Sequence, residues 1–200
     1  MAEEIVLYVG TYTRGRSEGI YIYRMELSSG GMELVGTATG LKNPSFLAVD
    51  PQPRHLYAVN EIEEFDGKLT GAVSAFSIDP KTGNLTHLNT KSSYGAYPCH
   101  LSVDKIGRYV LVANYGGGSV CVLPVQDDGH IGEATCVIQH RGSSVDPHRQ
   151  EGPHPHSVNI DPTNQYVFVP DLGLDRIMAY RLESANGSLK PNDEPWVQTR

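Results

Sequence analysis

The chain has 200 residues, with 23 acidic and 16 basic side chains and a formal charge of −7. An apolar fraction of 39% is enough for a packed core and excludes intrinsic disorder. The acidic balance, without any basic run, argues against a nucleic-acid or anionic-membrane surface, and no apolar stretch approaches the roughly 18 residues of a membrane span.

Read in order, the chain is a series of short β-rich runs separated by turns. Ile5–Tyr12 and Gly19–Leu27 come first. Asn43-Pro-Ser-Phe-Leu-Ala-Val-Asp50 leads into Leu56–Asn60, Ala72–Ile78 and Leu85–Asn89. Tyr97-Pro-Cys-His-Leu-Ser-Val-Asp104 leads into Tyr109–Asn114 and Ser119–Val125, and His154-Pro-His-Ser-Val-Asn-Ile-Asp161 into Tyr166–Asp171 and Arg176–Leu182. The three prolines stand 54 and 57 residues apart. In each copy the step from Pro to Asp is six residues, and the step to a polar residue (Asn60, Asn114, Asp171) is sixteen. Pro80–Asn84, Asp127–His130 and Ser184–Gly187 carry hairpin-turn chemistry. The 21 Gly and 13 Pro, well above the roughly 12% these two residues average, belong to such turns. No helix of useful length is legible.

Four strands per repeat of about 50 residues mark a propeller blade. The expected fold is all-β: a β-propeller of about four four-stranded blades, with strands A to D running from the axis outwards. The blades are expected at 5–40 (strands B to D only), 43–95, 97–140 and 154–196. Rings usually close by supplying a missing strand, so the count suggests the N-terminal part of a larger propeller or an open half-ring. A complete four-bladed ring is the alternative.

The start of A and the end of B share one rim, and two long connections, Glu61–Thr70 and His140–Pro153, collect there. Insertions gathered on one face mark a binding face. That rim gathers Arg14, Glu61, His100, Asn114, Arg149, His154, His156 and Arg176. His154 and His156 are the candidate catalytic groups, since imidazoles serve as general bases near neutral pH. The arginines suit carboxylate or phosphate oxygens. Asn60, Asn114 and Asp171 recur once per blade and read first as caps for backbone donors at the end of B, with pocket lining second. Gly116–Gly118 reads as a tight turn, because no helix stands behind it to make a phosphate cradle. The three cysteines, Cys99, Cys121 and Cys136, read as reduced thiols. With an opening segment that lacks signal-peptide character, they suggest a cytoplasmic protein.

Tyr8-Val-Gly-Thr-Tyr-Thr13, Asn60-Glu61, Ala113-Asn-Tyr-Gly-Gly-Gly-Ser-Val120, Gly152-Pro-His-Pro-His-Ser157 and Pro170-Asp-Leu-Gly-Leu-Asp-Arg-Ile177 fall in the order found in the seven-bladed propeller lactonases. The chain resembles that family over essentially its whole length. The family includes bacterial-type 6-phosphogluconolactonases and fungal carboxymuconate-cyclising enzymes. The resemblance implies hydrolysis of a sugar-acid lactone, most simply 6-phosphogluconolactone, with no cofactor and no required metal. It also implies a small anionic lactone as partner, and a pocket at the axial mouth to which His154 or His156 contributes. The family's further Arg and Glu fall in a later blade, beyond this sequence; Glu61 stands in the equivalent column of another blade. A muconate-type lactone cycloisomerase, a non-catalytic propeller scaffold and an inactive fragment remain open as alternatives.

Overall fold

The computed structural model describes residues 3–199. Strands β1 (Glu4–Val9), β2 (Gly19–Glu26) and β3 (Met32–Thr39) make a three-stranded antiparallel sheet. The second blade contains β4 (Leu47–Val49), β5 (His55–Asn60), β8 (Ala72–Ile78) and β9 (Leu85–Ser92). A small hairpin, β6 (Glu64–Phe65) with β7 (Lys68–Leu69), lies inside its B-to-C connection. The third sheet is β10 (Pro98–Val103), β11 (Tyr109–Asn114), β12 (Ser119–Pro124) and β13 (Cys136–Gln139). The fourth is β14 (Asn159–Ile160), β15 (Tyr166–Asp171), β16 (Arg176–Glu183) and β17 (Ser188–Gln198). Each sheet runs in sequence order, as blades do. These are blades of a partial propeller. Strand β17 extends further than the sequence suggests: Trp196 and Val197 pair with Met178 and Ile177 beyond a bulge. The one helical turn among the described residues is the 3-10 segment Leu172–Leu174.

Burial explains why the middle strands read as continuous apolar runs rather than alternating ones. β5 and β11 are sandwiched between neighbouring blades, so Leu56–Val59 and Val110–Ala113 are each 0% exposed on both faces. Each such Leu or Val contributes about 1.5–3 kcal/mol by leaving water. Three clusters fill the gaps between successive blades, centred on Ile20 and Leu56, on Tyr57 and Leu123, and on Leu111 and Val167. Cys121 and Cys136 lie on adjacent strands but one residue out of register (Cys121 faces Val137). They pack into different clusters and are free thiols.

Two side-chain devices recur. A tyrosine on strand B reaches the C-to-D turn of the next blade: Tyr8 donates to the Gly83 carbonyl (2.8 Å), Tyr57 to Gly129 (3.3 Å) and Tyr109 to Ser184 (3.2 Å). The repeat aspartate after strand A takes both N–H groups that open strand B. Asp50 Oδ1 accepts from Arg54 and His55, Asp104 Oδ1 from Arg108 and Tyr109, and Asp161 Oδ1 from Gln165 and Tyr166. Burial pushes the Asp161 carboxyl upward, but Thr163 and three backbone N–H donors outweigh it and hold the group well below the usual carboxylate range. Asp104 Oδ2 also accepts from Asn164 of the next blade (3.1 Å), so this turn links two blades.

Asp104 is 0% exposed. Replacing it by Ala leaves two backbone donors and the Asn164 amide without their acceptor. Asp104→Ala is expected to lower stability by about 2–4 kcal/mol, read as a fall in the urea midpoint with an unchanged slope.

Candidate active site

Strands A and B meet at one rim through a repeated backbone contact. The N–H of the residue following strand B donates to the carbonyl of the residue preceding the repeat proline: Glu61 to Asn43, Tyr115 to Tyr97 and Leu172 to His154, each at 3.0 Å. Two repeat columns therefore converge at the mouth. One holds Tyr12, Glu61 and Tyr115, each a single residue past the end-of-B column. The other holds Ser45, Cys99 and His156, each directly after the repeat proline. Together these six residues line a cavity of about 240 Å³ whose exposed lining is half polar. The larger hollow between blades 1 and 2, about 800 Å³, is walled mainly by apolar side chains such as Ile5, Val6 and Ile78.

Within the cavity the carboxylate of Glu61 is pinned on one oxygen. Its Oε2 accepts from the Tyr12 hydroxyl (2.8 Å) and the Ser45 hydroxyl (2.5 Å). Its Oε1 takes no hydrogen bond from the described residues. Burial first, then the hydrogen bond to Glu61, raises the Tyr12 phenol and keeps it a donor. Burial, reinforced by the Glu61 charge, pushes the Cys99 thiol up to about 12, so Cys99 is a neutral wall of the cavity and not a thiolate nucleophile.

The two histidines of the His-Pro-His segment differ in what they touch. The His154 ring is half-buried and stacked on Tyr115, with centroids 4.6 Å apart. Its Nδ1 meets the Tyr115 carbonyl (3.0 Å) and its Nε2 the Glu151 carboxylate (3.1 Å). His156 is exposed, stands edge-on to Tyr115 at 5.6 Å and has no ring hydrogen bond among the described residues. His156 lines the cavity; His154 braces the ring beside it.

The other predicted residues separate. Glu61 and His156 are brought together, while the remaining six lie elsewhere. Asn114 is 0% exposed: its Nδ2 donates to the Ser93 carbonyl (2.8 Å) and to Ser119 (3.1 Å), so it holds a blade joint and does not line the pocket. Asn60 likewise donates to a carbonyl, that of Lys42 (3.0 Å). These two amides therefore satisfy acceptors, not the donors expected from the sequence; in this column only Asp171 takes backbone N–H groups. Ser74 supplies a hydroxyl to Asn60 Oδ1, whereas the thiol of Cys121 occupies that register in blade 3 and Asn114 Oδ1 has no partner. Arg176 lies over the Trp196 ring at 3.9 Å, away from the cavity, because the extended β17 brings Trp196 alongside. Arg149 is exposed on the His140–Pro153 connection, where its backbone N–H closes a turn on Asp146. Arg14 is exposed at the rim, close enough to Tyr97 to act on its hydroxyl. His100 lies one residue past the cavity column, its ring tilted 34° against that of Phe46 with centroids 4.1 Å apart, and its Nδ1 accepts the Val158 N–H (3.3 Å). Gly116–Gly118 forms the tight turn the sequence suggests: a Cβ at Gly116 would strike the Tyr97 ring at 2.6 Å. Sequence reasoning missed Tyr12, Ser45, Cys99 and Tyr115. The signal was the repeat alignment itself, one column beyond the polar one.

An arc of blades with a half-polar cavity at the A/B rim defines a partial β-propeller. The chain belongs to the lactonase family of seven-bladed β-propellers, whose model matches residues 6–200. It is 40% identical over 195 residues to a 6-phosphogluconolactonase of Bacillus subtilis, covering 94% of this chain and 54% of that protein. It is similar to a solved Bacteroides fragilis protein (TM-score 0.91, 34% identity, 98% of this chain and 55% of the other). It also resembles a structure described as the periplasmic gluconolactonase of Pseudomonas aeruginosa (TM-score 0.90, 38% identity, 99% and 56%). The chain thus spans about half the length of the relatives it matches.

His100 carries a pH signature. Burial, helped by the neighbouring His156, lowers its pKa from 6.5 to about 4. Below pH 6.5 the unfolded chain takes up a proton that the folded chain refuses until about pH 4. Stability therefore falls as pH drops through that window, and the loss is complete below it. His100→Gln keeps an acceptor for Val158 and removes the titration. Between pH 7 and pH 4.5 the parent is expected to lose on the order of 1 kcal/mol more than this variant, a figure reduced for partial exposure of the ring. Urea midpoints at the two pH values measure it.

Proposed function

We propose that the chain carries part of a lactone-hydrolysing site and that its substrate is a sugar-acid lactone, 6-phosphogluconolactone first among them. The observation that carries this reading is the cavity in which Glu61, pinned on one oxygen only, shares a wall with an imidazole free of hydrogen bonds, His156. Family membership and the naming of the Bacillus subtilis relative support the reaction class.

In this reading Glu61 Oε1 accepts a proton from water as the water oxygen attacks the lactone carbonyl. The carbonyl π pair moves to oxygen. When the tetrahedral centre collapses, the ring C–O bond breaks, and protonated His156 gives its proton to the departing ring oxygen. The single product is the open hydroxy-acid, which ionises to its carboxylate in solvent, and the proton held by Glu61 returns through water to His156. General acid–base assistance of this kind contributes about 10²–10⁴-fold, which suits an already reactive ring ester. Tyr12 and Ser45 fix the carboxylate, and His154 holds Tyr115 against His156. Arg14 and Arg149, both solvent-facing on this rim, are the cations available to a phosphate. An unphosphorylated lactone is the second reading, supported by the 38% identity to the Pseudomonas aeruginosa protein described as a gluconolactonase.

The test is hydrolysis of 6-phosphogluconolactone and gluconolactone, measured against the spontaneous rate. It uses the chain alone and the chain completed by the C-terminal blades of the Bacillus subtilis relative. His156→Ala and Glu61→Gln are each expected to lower kcat about 10²-fold, with His148→Ala unchanged. No acceleration of either lactone by the completed protein overturns the proposal. Preference for the unphosphorylated lactone selects the second reading.

A further inference from the structure

At each joint between blades, the residue that closes strand B ties down the chain arriving from the blade before. Asn60 and Asn114 do this with a neutral amide donating to a backbone carbonyl. In blade 4 the place is held by Asp171, and the partner is a side chain. His140, at the end of blade 3, brings its Nδ1 to 2.6 Å from Asp171 Oδ2 and its Nε2 to 2.9 Å from the Tyr180 hydroxyl. The His140 and Asp171 side chains are 1% and 0% exposed. Burying two ionisable groups carries a desolvation cost that an amide avoids, and two of the three joints manage with the amide. The exchange therefore calls for a reason beyond architecture.

The reason lies in the segment that Asp171 holds. Its Oδ1 accepts the His154 N–H (2.8 Å) and the Leu174 N–H (3.2 Å), while Leu172 N–H donates to the His154 carbonyl (3.0 Å) and His156 N–H to the Pro170 carbonyl (2.9 Å). The equivalents of His154 in blades 2 and 3, Asn43 and Tyr97, have left-handed φ values of 45° and 50° and no carboxylate at their N–H. The backbone of Gly152 also presses on Gly173, where a Cβ would lie 1.8 Å from the Gly152 carbonyl oxygen. The stretch from Gly152 to His156 is thereby clamped against the end of β15 on both sides.

We propose that Asp171, oriented by His140, is a positioning residue for His156: it fixes the backbone that carries this imidazole into the cavity beside Glu61. The kinetic part of the proposal rests on the lactonase reading; the geometric part does not. Tyr180 completes the chain of contacts at His140 Nε2 (2.9 Å); the tautomer with its proton on Nδ1 lets His140 donate to Asp171 and accept from this hydroxyl. Burial, with the Asp171 charge, raises the Tyr180 phenol to about 12 and keeps it a donor.

The experiment uses three variants of the whole chain. Asp171→Asn preserves shape and an Oδ1 acceptor, at a position where Asn serves in two other blades. His140→Leu removes the donor. His140→Asn returns an N–H near the Nδ1 site without reaching Tyr180. The readouts are the His156 ring resonances, assigned with His156→Gln, and kcat and KM for lactone hydrolysis per folded molecule. Asp171→Asn and His140→Leu are expected to shift the His156 resonances and to lower kcat about 10-fold or more while KM changes less than about 3-fold. His140→Asn is expected to restore both. If the resonances and kcat stay at parental values while only the urea midpoint falls, the pair is architectural and the proposal is overturned. If neither the parent nor its form completed by the C-terminal blades accelerates a lactone, the lactonase reading fails on its own, and the resonances decide the positioning role.

Discussion

The site depends on one backbone hydrogen bond, made again in blades 2, 3 and 4: the N–H just past strand B donating to the carbonyl just before the repeat proline. Proline follows that carbonyl in all three copies, and its ring fixes φ while removing an N–H that would otherwise compete for a partner at the mouth. The contact brings the end of one strand and the start of another to the same height on the rim. Whatever side chains follow the two marker positions then face one another. In this chain they are Tyr12, Glu61 and Tyr115 on one side and Ser45, Cys99 and His156 on the other. The architecture repeats; the chemistry is written into the two columns that the architecture leaves free.

Architecture was legible in the sequence because it is periodic. The repeat aspartate, the apolar B strands and the hairpin turns each answer to a demand that recurs in every blade, so alignment of the copies exposes them. The limits of legibility have physical causes as well. Asn60 and Asn114 look like capping acceptors, yet an amide can serve as donor or acceptor, and the carbonyl needing a donor belongs to a segment that only packing brings near. Arg176 reads as a rim cation from its place after the β15 turn. Its position is decided by Trp196, twenty residues later, through a register shift in β17 that composition does not announce. The columns that line the cavity hold a different residue in nearly every blade. Variation conceals them from a search for recurrence, although variation at a fixed repeat position is what a site carried on a repeated scaffold would show.

The outer faces of the first and fourth sheets explain the contrast in burial along the chain. β1 is largely exposed, whereas β5 and β11, with equally apolar sequences, are closed on both sides. Phe168 and Val197 of blade 4 remain 40% and 52% exposed on a face equivalent to those that blades 1 to 3 bury against a neighbour. Tyr166 belongs to the same series of B-strand tyrosines as Tyr109. Here its hydroxyl meets the Arg181 guanidinium at 3.4 Å in place of a turn of another blade. The interactions that stabilise one blade are thus supplied largely by the next, as in other repeat folds, where stability grows with the number of interfaces.

His154 and His156 show how the same side chain acquires different surroundings two residues apart. In an extended segment residues two apart share a face, and both rings reach Tyr115. His154 stacks on it at 4.6 Å and meets Glu151, whereas His156 stands edge-on at 5.6 Å and lines the cavity. Proline also stiffens the link, and the carboxylate of Asp171 holds the N–H on its near side. An imidazole with both nitrogens engaged is a brace, and one with neither engaged is available for proton transfer. The segment Pro-His-Pro-His therefore sets a braced ring and an unengaged one side by side, both against Tyr115.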